Sequence, residues 1–92
     1  MASVLTHFEV HDFETWKRET YDTDPAGRRQ TARRHVIFRG VDDPTQVFVS
    51  TEFDSVKQAA AFRDRLVASG AMDDVPVKTP PTVVEIADFG EY

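Results

Sequence analysis

The chain has 92 residues, of which 29% are charged and 40% hydrophobic, and its formal net charge is −5. This length predicts a single domain over residues 1–92 with a modest core, so dimerisation would bury useful additional surface. The absence of cysteine excludes disulfides, thiolate nucleophiles and cysteine-ligated metals, and the negative charge argues against general nucleic-acid binding. The apolar runs are too short to span a bilayer and "MASVLTHFEV" lacks the pattern of an export signal, so we expect a cytoplasmic protein without membrane contact.

The first third of the chain predicts a strand followed by a helix. Apolar and polar residues alternate from Ser3 to Val10, which is typical of a strand with one buried face. Asp12 is suited to cap a helix whose inner face carries Phe13 and Trp16. The Asp-, Pro- and Gly-containing segment 22–27 then ends this helix and begins a loop.

The middle of the chain predicts a hairpin. Thr31–Arg39 and Val47–Phe53 both alternate as strands do, and the Asp- and Pro-rich segment Gly40–Gln46 between them is suited to a turn.

The last part of the chain predicts a second helix and a fourth strand. Asp54 or Ser55 caps the helix, with Gln58 placed to complete a capping box on Ser55. Gly70 follows the last turn, where a left-handed residue is expected. The fourth strand is predicted over Thr82–Phe89. The helix carries an apolar stripe of Val56, Ala59, Ala60, Phe62, Leu66 and Val67.

The order strand, helix, strand, strand, helix, strand predicts an α+β, ferredoxin-like βαββαβ fold with a four-stranded antiparallel sheet in the order 4-1-3-2. The face predicted to pack against the helices is nearly all apolar: Val4, Phe8, Val10, Val36, Phe38, Val47, Val49, Phe53, Val84 and Ile86. The opposite face mixes apolar, acidic and histidine side chains: Leu5, His7, Glu9, His35, Ile37, Phe48, Ser50, Glu52, Val83, Glu85, Ala87 and Phe89. A second copy of the sheet packed on this mixed face would cover its apolar residues and pair its polar ones, which predicts a homodimer.

Three segments resemble a known family: "HFEVHDFETWK" (His7–Lys17), "FRGVDDPTQVFVSTEFDS" (Phe38–Ser55) and "ASGAM" (Ala68–Met72). Together they resemble the dimeric α+β barrel superfamily, and within it small proteins described as cyclase-like or antibiotic-biosynthesis-monooxygenase-like. The resemblance implies a homodimer whose two sheets close into one barrel, and a pocket for a small molecule. Relatives include cofactor-free oxygenases, polyketide cyclases, lactone isomerases and haem-degrading enzymes. The chain lacks the Asn-Trp-His arrangement of the haem-degrading branch, so that activity is not carried over to it. The resemblance to the cofactor-free relatives implies that no cofactor is needed.

Two features depart from the family pattern. Thr31 replaces the usual glycine near the start of the second strand, and the loop Asp22–Gln30 carries adjacent Arg28 and Arg29. Contacts that relatives make through this loop are therefore not carried over to this chain.

The sequence His7-x-Glu9-x-His11 invites interpretation as a metal site. On a strand, however, residues four apart are separated by about 13 Å, whereas metal–nitrogen bonds are about 2.0–2.1 Å long. His7 and His11 therefore cannot share one ion, whereas His7 with Glu9 or with a cross-strand residue could; on balance no metal site is predicted. His7 alone is the catalytic candidate, as a proton-transfer or positioning group. The alternative is that His7 hydrogen-bonds Glu52, Glu85 or a group of the partner chain at a dimer interface.

Aromatic residues suggest a ligand pocket between the helices and the sheet. Trp16, Tyr21 and Phe62 could line it and would suit an aromatic substrate, although core packing also explains Trp16. Glu52 and Glu85 are further candidates for the pocket, with charge pairing as the alternative role.

The basic stretch between Arg28 and Arg39 could recognise an anionic ligand, or could form a solvated loop and strand edge paired with acids. Two functions are consistent with these patterns. The first is a cofactor-independent enzyme of the monooxygenase or cyclase type, acting on an aromatic or polyketide-like small molecule. The second is a non-catalytic ligand-binding or structural dimer. The enzyme predicts an apolar pocket with His7 at its wall, and the dimer predicts a filled barrel with His7 sealed by intermolecular hydrogen bonds.

Overall fold

The computed structural model describes residues 1–92 and contains one four-stranded antiparallel sheet with both helices on one face. Its elements are β1 (Ala2–Glu9), α1 (Phe13–Glu19), β2 (Arg34–Arg39), β3 (Gln46–Phe53), α2 (Val56–Ser69) and β4 (Val77–Glu85). Two short 3-10 turns, Tyr21–Thr23 and Arg28–Gln30, lie between α1 and β2. The strand order β2-β3-β1-β4 confirms the predicted ferredoxin-like fold and the predicted order. Neither helix is long and apolar enough to cross a membrane.

The ends of both helices are fixed by the predicted caps. The Asp12 carboxylate accepts a hydrogen bond from the Thr15 N–H at 3.3 Å, and the Ser55 hydroxyl accepts one from the Gln58 N–H at 3.1 Å. Gly70 ends α2 with a φ of 74°, a left-handed conformation that costs glycine little because it has no Cβ. The caps confirm where both helices begin.

The predicted face of β2 is wrong. Val36 and Phe38 were expected to face the helices, but the pairing of β2 with β3 places Phe38 opposite Phe48, on the uncovered face. His35 and Ile37 face the helices instead, with Ile37 opposite the buried Val49. The cause is a run of three consecutive apolar residues, which leaves the alternation of this strand undefined.

The predicted bounds of β4 are also wrong. The strand spans Val77–Glu85 rather than Thr82–Phe89, and it therefore includes Pro80 and Pro81. β4 is an edge strand with register shifts between Leu5 and Phe8 of its neighbour. Proline is tolerated in such a strand because no further strand needs its missing N–H.

The face assignment of β4 was inverted as well. Val83 pairs with Val4 and packs against the core, whereas Val84 pairs with Ser3 on the uncovered face. Glu85 pairs with Ala2 at the end of the strand. Ile86, Ala87 and Phe89, which were predicted as strand residues, lie beyond it.

Between the sheet and the helices the core forms two clusters. One contains Ala2, Val4, Ala26, Phe53, Ala59 and Phe62. The other contains Phe8, Val10, Val47 and Val49. All of the buried strand residues in these clusters lie on β1 and β3 or directly after β1, so the two central strands carry the core, as predicted.

The uncovered face of the sheet, called the open face below, is rich in exposed apolar side chains. Leu5 is 40% exposed and Phe38 56% exposed, and Val36 and Phe48 beside them are exposed as well. These four side chains make up the exposed apolar part of the open face.

Candidate functional site

A cavity of about 60 Å³ lies between the helices and the sheet. It is called the helix-side cavity below. On a scale where one water occupies about 10–15 Å³, it has room for about four to six waters. The walls come from β1, α1, the segment between α1 and β2, β3, and α2 with the turn after it. Most of the lining is apolar and includes Val4, Phe8, Trp16, Val49, Phe62, Leu66 and Met72. The polar lining residues are Thr6, Thr20, Tyr21, Asp24, Arg28 and Thr51.

Aromatic rings form one end of the cavity. Trp16, on α1, lies with its ring centroid 5.1 Å from that of Phe8 and 5.3 Å from that of Tyr21. Tilted rings at these separations attract one another in addition to burying area. Trp16 therefore both packs in the core and lines the cavity, so the two roles considered from the sequence coexist.

Tyr21 carries the one buried side-chain polar atom without a hydrogen-bond partner: its hydroxyl. Burial raises the pKa of Tyr21, and the charges of Asp24 and Asp22 act in the same direction, against the opposing effect of Arg28. The nearby Thr51 hydroxyl lowers this pKa slightly without forming a well-aligned hydrogen bond. At neutral pH the phenol is thus a protonated donor held without an acceptor, and such groups in proteins call for an explanation.

Arg28 and Asp24 form a buried ion pair at the wall of the cavity. The Arg28 Nη1 donates to Asp24 Oδ1 at 3.0 Å and to the Tyr21 carbonyl at 2.9 Å. The two side chains are only 7% and 16% exposed. The guanidinium carbon also lies 3.8 Å from the centre of the Tyr21 ring, within the range of a cation–π contact. Arg28 thus holds Tyr21 by its backbone and by its ring.

The local sequence explains how this ion pair forms. Asp24 has a φ of 56°, a left-handed conformation that aspartate adopts more readily than most residues. Its carboxylate also accepts hydrogen bonds from the N–H groups of Arg28 at 2.9 Å and Arg29 at 3.4 Å. The Arg65 Nε on α2 donates to the Ala26 carbonyl at 2.9 Å. The segment between α1 and β2 is therefore tied both to itself and to α2.

His35 is close to this site but does not line the cavity. Its ring lies edge-on to Tyr21, with centroids 5.3 Å apart. Desolvation lowers the pKa of His35, and the charges of Arg28 and Lys17 lower it further. A histidine in this setting favours its neutral form.

The residues proposed from the sequence separate into two groups. Trp16, Tyr21 and Phe62 all line the helix-side cavity. His7, Glu52 and Glu85 do not line it, although sequence reasoning placed them in a pocket or at its wall. The structure therefore brings the aromatic candidates together and leaves the ionisable ones elsewhere.

His7 lies on the open face, in a hydrogen-bonded chain with neighbouring strands. Its ring stacks on Phe48 with centroids 4.0 Å apart. Gln46 Nε2 donates to Glu9 at 2.9 Å, so the Gln46 amide oxygen, 2.8 Å from His7 Nε2, must accept from His7. His7 is thus satisfied within its own chain by Gln46 rather than by Glu52 or Glu85. Glu52 pairs with Arg34 at 3.2 Å, and Glu85 is exposed at the end of β4.

The basic stretch has mixed roles. Arg33 and Arg34 pair with Asp54 and Glu52, as expected for a solvated strand edge. Arg28 instead turns inward to the cavity. Sequence reasoning singled out Arg28 as part of this stretch but missed Asp24 as its partner, because the pair forms across a loop whose left-handed Asp24 no helical spacing rule describes. It also missed His35 as a neighbour of Tyr21, because β2 was assigned to the wrong face.

No group of three or more His, Asp or Glu side chains is arranged to hold a metal ion. The only charged residues that line the helix-side cavity are Asp24 and Arg28. Apart from this ion pair the lining of the cavity is uncharged, and the Tyr21 hydroxyl is its one fully buried polar side-chain atom without a hydrogen-bond partner.

Comparison with known proteins identifies the fold. No protein-family model matches the chain, and no curated protein matches it in sequence. A protein of Nitrosomonas europaea, provisionally described as an antibiotic biosynthesis monooxygenase, superimposes with a TM-score of 0.62 at 18% identity, over 90% of this chain and 85% of that one. Rv0793 from Mycobacterium tuberculosis superimposes with a TM-score of 0.61 at 15% identity, over 98% of this chain and 96% of that one. These likenesses confirm the ferredoxin-like α+β fold of the single chain, and identities this low provide evidence for the fold alone.

Proposed function

We propose that this protein is a small homodimeric enzyme of the antibiotic biosynthesis monooxygenase type. It acts without a cofactor on an aromatic or polyketide-like molecule bound in the helix-side cavity. The observation that carries the proposal is the buried Tyr21 hydroxyl, which has no hydrogen-bond partner in an otherwise apolar cavity. A functional pocket is typically apolar with a few polar groups that fix the orientation of the ligand.

The reaction of this type needs no external reductant, because the substrate supplies the electrons. A phenolic ring reacts with O₂: one oxygen atom replaces a ring hydrogen and becomes a carbonyl, and the phenolic O–H becomes the second carbonyl. The other oxygen atom leaves as water with the two hydrogens removed from the ring and the phenol. The four electrons lost by the substrate equal the four gained by O₂. Tyr21 would hold the substrate oxygen by a hydrogen bond, and Trp16 would pack against the ring.

The size of the cavity sets a condition on binding. A benzene-sized ligand fits an engineered cavity of about 150 Å³, whereas the helix-side cavity holds about 60 Å³. Substrate binding therefore requires one wall to move outward. The turn after α2 contributes Ala71, Met72 and Val75 to the lining, and it is suited to this movement, since it contains neither a helix nor a strand.

The homodimer would form through the open face. The exposed Leu5, Val36, Phe38 and Phe48 on this face would be covered by the same residues of a second copy, in a self-complementary interface. The paired His7, Gln46 and Glu9 side chains could be buried there without leaving their hydrogen bonds unmade.

Oxygen uptake with a panel of phenols tests the proposal directly. The expected result is substrate-dependent uptake of one O₂ per quinone formed, reduced in Tyr21→Phe, which keeps the ring and removes the hydroxyl. Tyr92→Phe is the matched control, since it makes the same change at a fully exposed tyrosine. Equal uptake by the wild type and Tyr21→Phe would contradict the assigned role of Tyr21.

A specific observation favours a second candidate, a non-catalytic small-ligand-binding dimer. The two charged groups at the cavity are locked together in one ion pair, and His7 lies on the other side of the sheet, so the cavity contains no free general base. Saturable binding of phenols without any oxygen uptake or product formation would support this candidate over the enzyme.

A further inference from the structure

We infer that the helix-side cavity selects an uncharged ligand carrying a hydrogen-bond acceptor, such as a ketone or quinone carbonyl, and that the Tyr21 hydroxyl is the donor that recognises it. This inference rests on the proposed function, because it assumes that the cavity is the ligand site. To the proposed function the inference adds the expected charge of the ligand and its functional group.

The charge of the ligand follows from the ion pair. Asp24 and Arg28 are the only charged residues that line the cavity, and they neutralise one another at 3.0 Å. A charged ligand would be removed from water without gaining a free counterion, which is unfavourable in a largely apolar site. Arg28 is therefore not available to hold an anion, although an arginine in a pocket would ordinarily suggest one.

The expectation that the ligand carries a hydrogen-bond acceptor follows from the unpaired hydroxyl of Tyr21. The Thr6 hydroxyl already donates to the Thr79 carbonyl at 2.9 Å, whereas the Tyr21 hydroxyl is the one that is fully buried without a partner. The raised pKa of Tyr21, caused chiefly by burial, keeps this hydroxyl protonated at neutral pH. A ligand acceptor would satisfy it, whereas a purely hydrocarbon ligand would leave it unpaired.

The position of the phenol is fixed independently of any ligand. Arg28 contacts both the carbonyl and the ring of Tyr21, and Trp16 packs against the same ring. A donor that is held in place before binding loses little freedom when the ligand arrives, so its hydrogen bond contributes to discrimination between ligands.

Three small probes of similar shape test the inference: acetophenone, which has a neutral acceptor; ethylbenzene, which has none; and benzoate, which is anionic. Binding is followed by ligand-observed NMR and by the fluorescence of Trp16, the only tryptophan in the chain. We expect acetophenone and ethylbenzene to bind and benzoate not to bind. Tyr21→Phe should weaken acetophenone on the order of 3- to 10-fold, the value of one neutral hydrogen bond, and leave ethylbenzene unchanged. Tyr92→Phe should leave both unchanged.

A second variant tests the role of the ion pair. Asp24→Asn removes the counterion of Arg28 and should allow benzoate to bind. In this variant the affinity for acetophenone should no longer exceed the affinity for benzoate. If Asp24→Asn does not fold, the Tyr21→Phe comparison alone still decides the inference.

The outcomes separate the inference from the proposed function. Binding of acetophenone and ethylbenzene with equal losses in Tyr21→Phe would overturn the inference and leave the ligand cavity standing. Binding of benzoate to the wild type as tightly as acetophenone would also overturn the inference alone. Failure of both neutral probes to bind would overturn the cavity as a ligand site, and the inference with it.

Discussion

The guanidinium of Arg28 lies 3.8 Å from the ring centre of Tyr21 and donates a hydrogen bond to the carbonyl of the same residue at 2.9 Å. Its charge is balanced by Asp24, which accepts from the same nitrogen. One buried arginine therefore positions the aromatic residue that offers the cavity its free donor.

Arg28→Ala should lower the free energy of unfolding by roughly 3 kcal/mol, because it leaves the Asp24 carboxylate partly buried without its counterion. Urea unfolding followed by circular dichroism measures this change. Arg33→Ala is the matched control: Arg33 also pairs with an aspartate, at 2.7 Å, but both side chains are 57% exposed, and solvent screens such pairs strongly. An equal loss of stability in the two variants would contradict the structural role of the buried pair.

Tyr21 should ionise above the ordinary tyrosine pKa of about 10, because burial opposes the formation of phenolate. In a Tyr92→Phe background Tyr21 is the only tyrosine, so absorbance near the phenolate band reports its titration alone. Adding Asp24→Asn should lower the midpoint, since the Asp24 charge raises this pKa. A midpoint at or below that of a free tyrosine would show that the phenol is not buried as described.

The pH dependence of stability should carry a contribution from His35. Its pKa in the folded chain is lowered by desolvation and by the charges of Arg28, Lys17 and Arg29, with Asp22 opposing them. In the unfolded chain a histidine titrates near about 6.5, so the unfolded state binds more protons just below this pH. Stability should therefore fall as pH decreases from 7 through that range.

His35→Gln should flatten this fall, as measured by urea unfolding at a series of pH values. His11→Gln serves as the control, because it removes an exposed histidine. If both variants have the same slope as the wild type, the environment assigned to His35 is wrong.

Phe38→Asp should convert the proposed dimer to a monomer in light scattering after size-exclusion chromatography. The substitution places a charge among the apolar side chains of the open face, where Phe38 lies opposite Phe48 and a second copy would bury it. Val41→Asp is the control. Val41 is 97% exposed in the turn between β2 and β3, so this substitution makes a comparable change away from the sheet. A wild-type monomer, or a dimer that persists in Phe38→Asp, would contradict the proposed interface.

The alternating patterns of β1 and β3 correctly predicted which of their residues face the helices, because only one face of each strand is buried. The edge strands were not predictable to the same degree. In β2 the consecutive residues Val36, Ile37 and Phe38 fit either face, and only pairing with β3 selects one. In β4, Pro80 and Pro81 led to a predicted strand that begins after them. The observed strand includes both prolines, because an edge strand tolerates proline.

The candidate site was predictable in part for similar reasons. Aromatic residues on or next to helical stripes identified Trp16, Tyr21 and Phe62 as neighbours. The pairing of Asp24 with Arg28 depends on the left-handed backbone at Asp24, which a sequence pattern indicates only as a loop. His7 was the catalytic candidate because histidine can transfer protons near neutral pH. Its hydrogen bond to Gln46 was not predictable, because it depends on the register of β1 and β3.

Amide chemical shifts measured by NMR during titration with acetophenone show whether the helix-side cavity binds a small aromatic molecule. We expect saturable shifts for residues around the cavity, such as Ala26, Thr51 and Ala71, with little change at Leu5 and Phe48 on the open face. Shifts confined to the open face, or no saturable shifts at all, would contradict it.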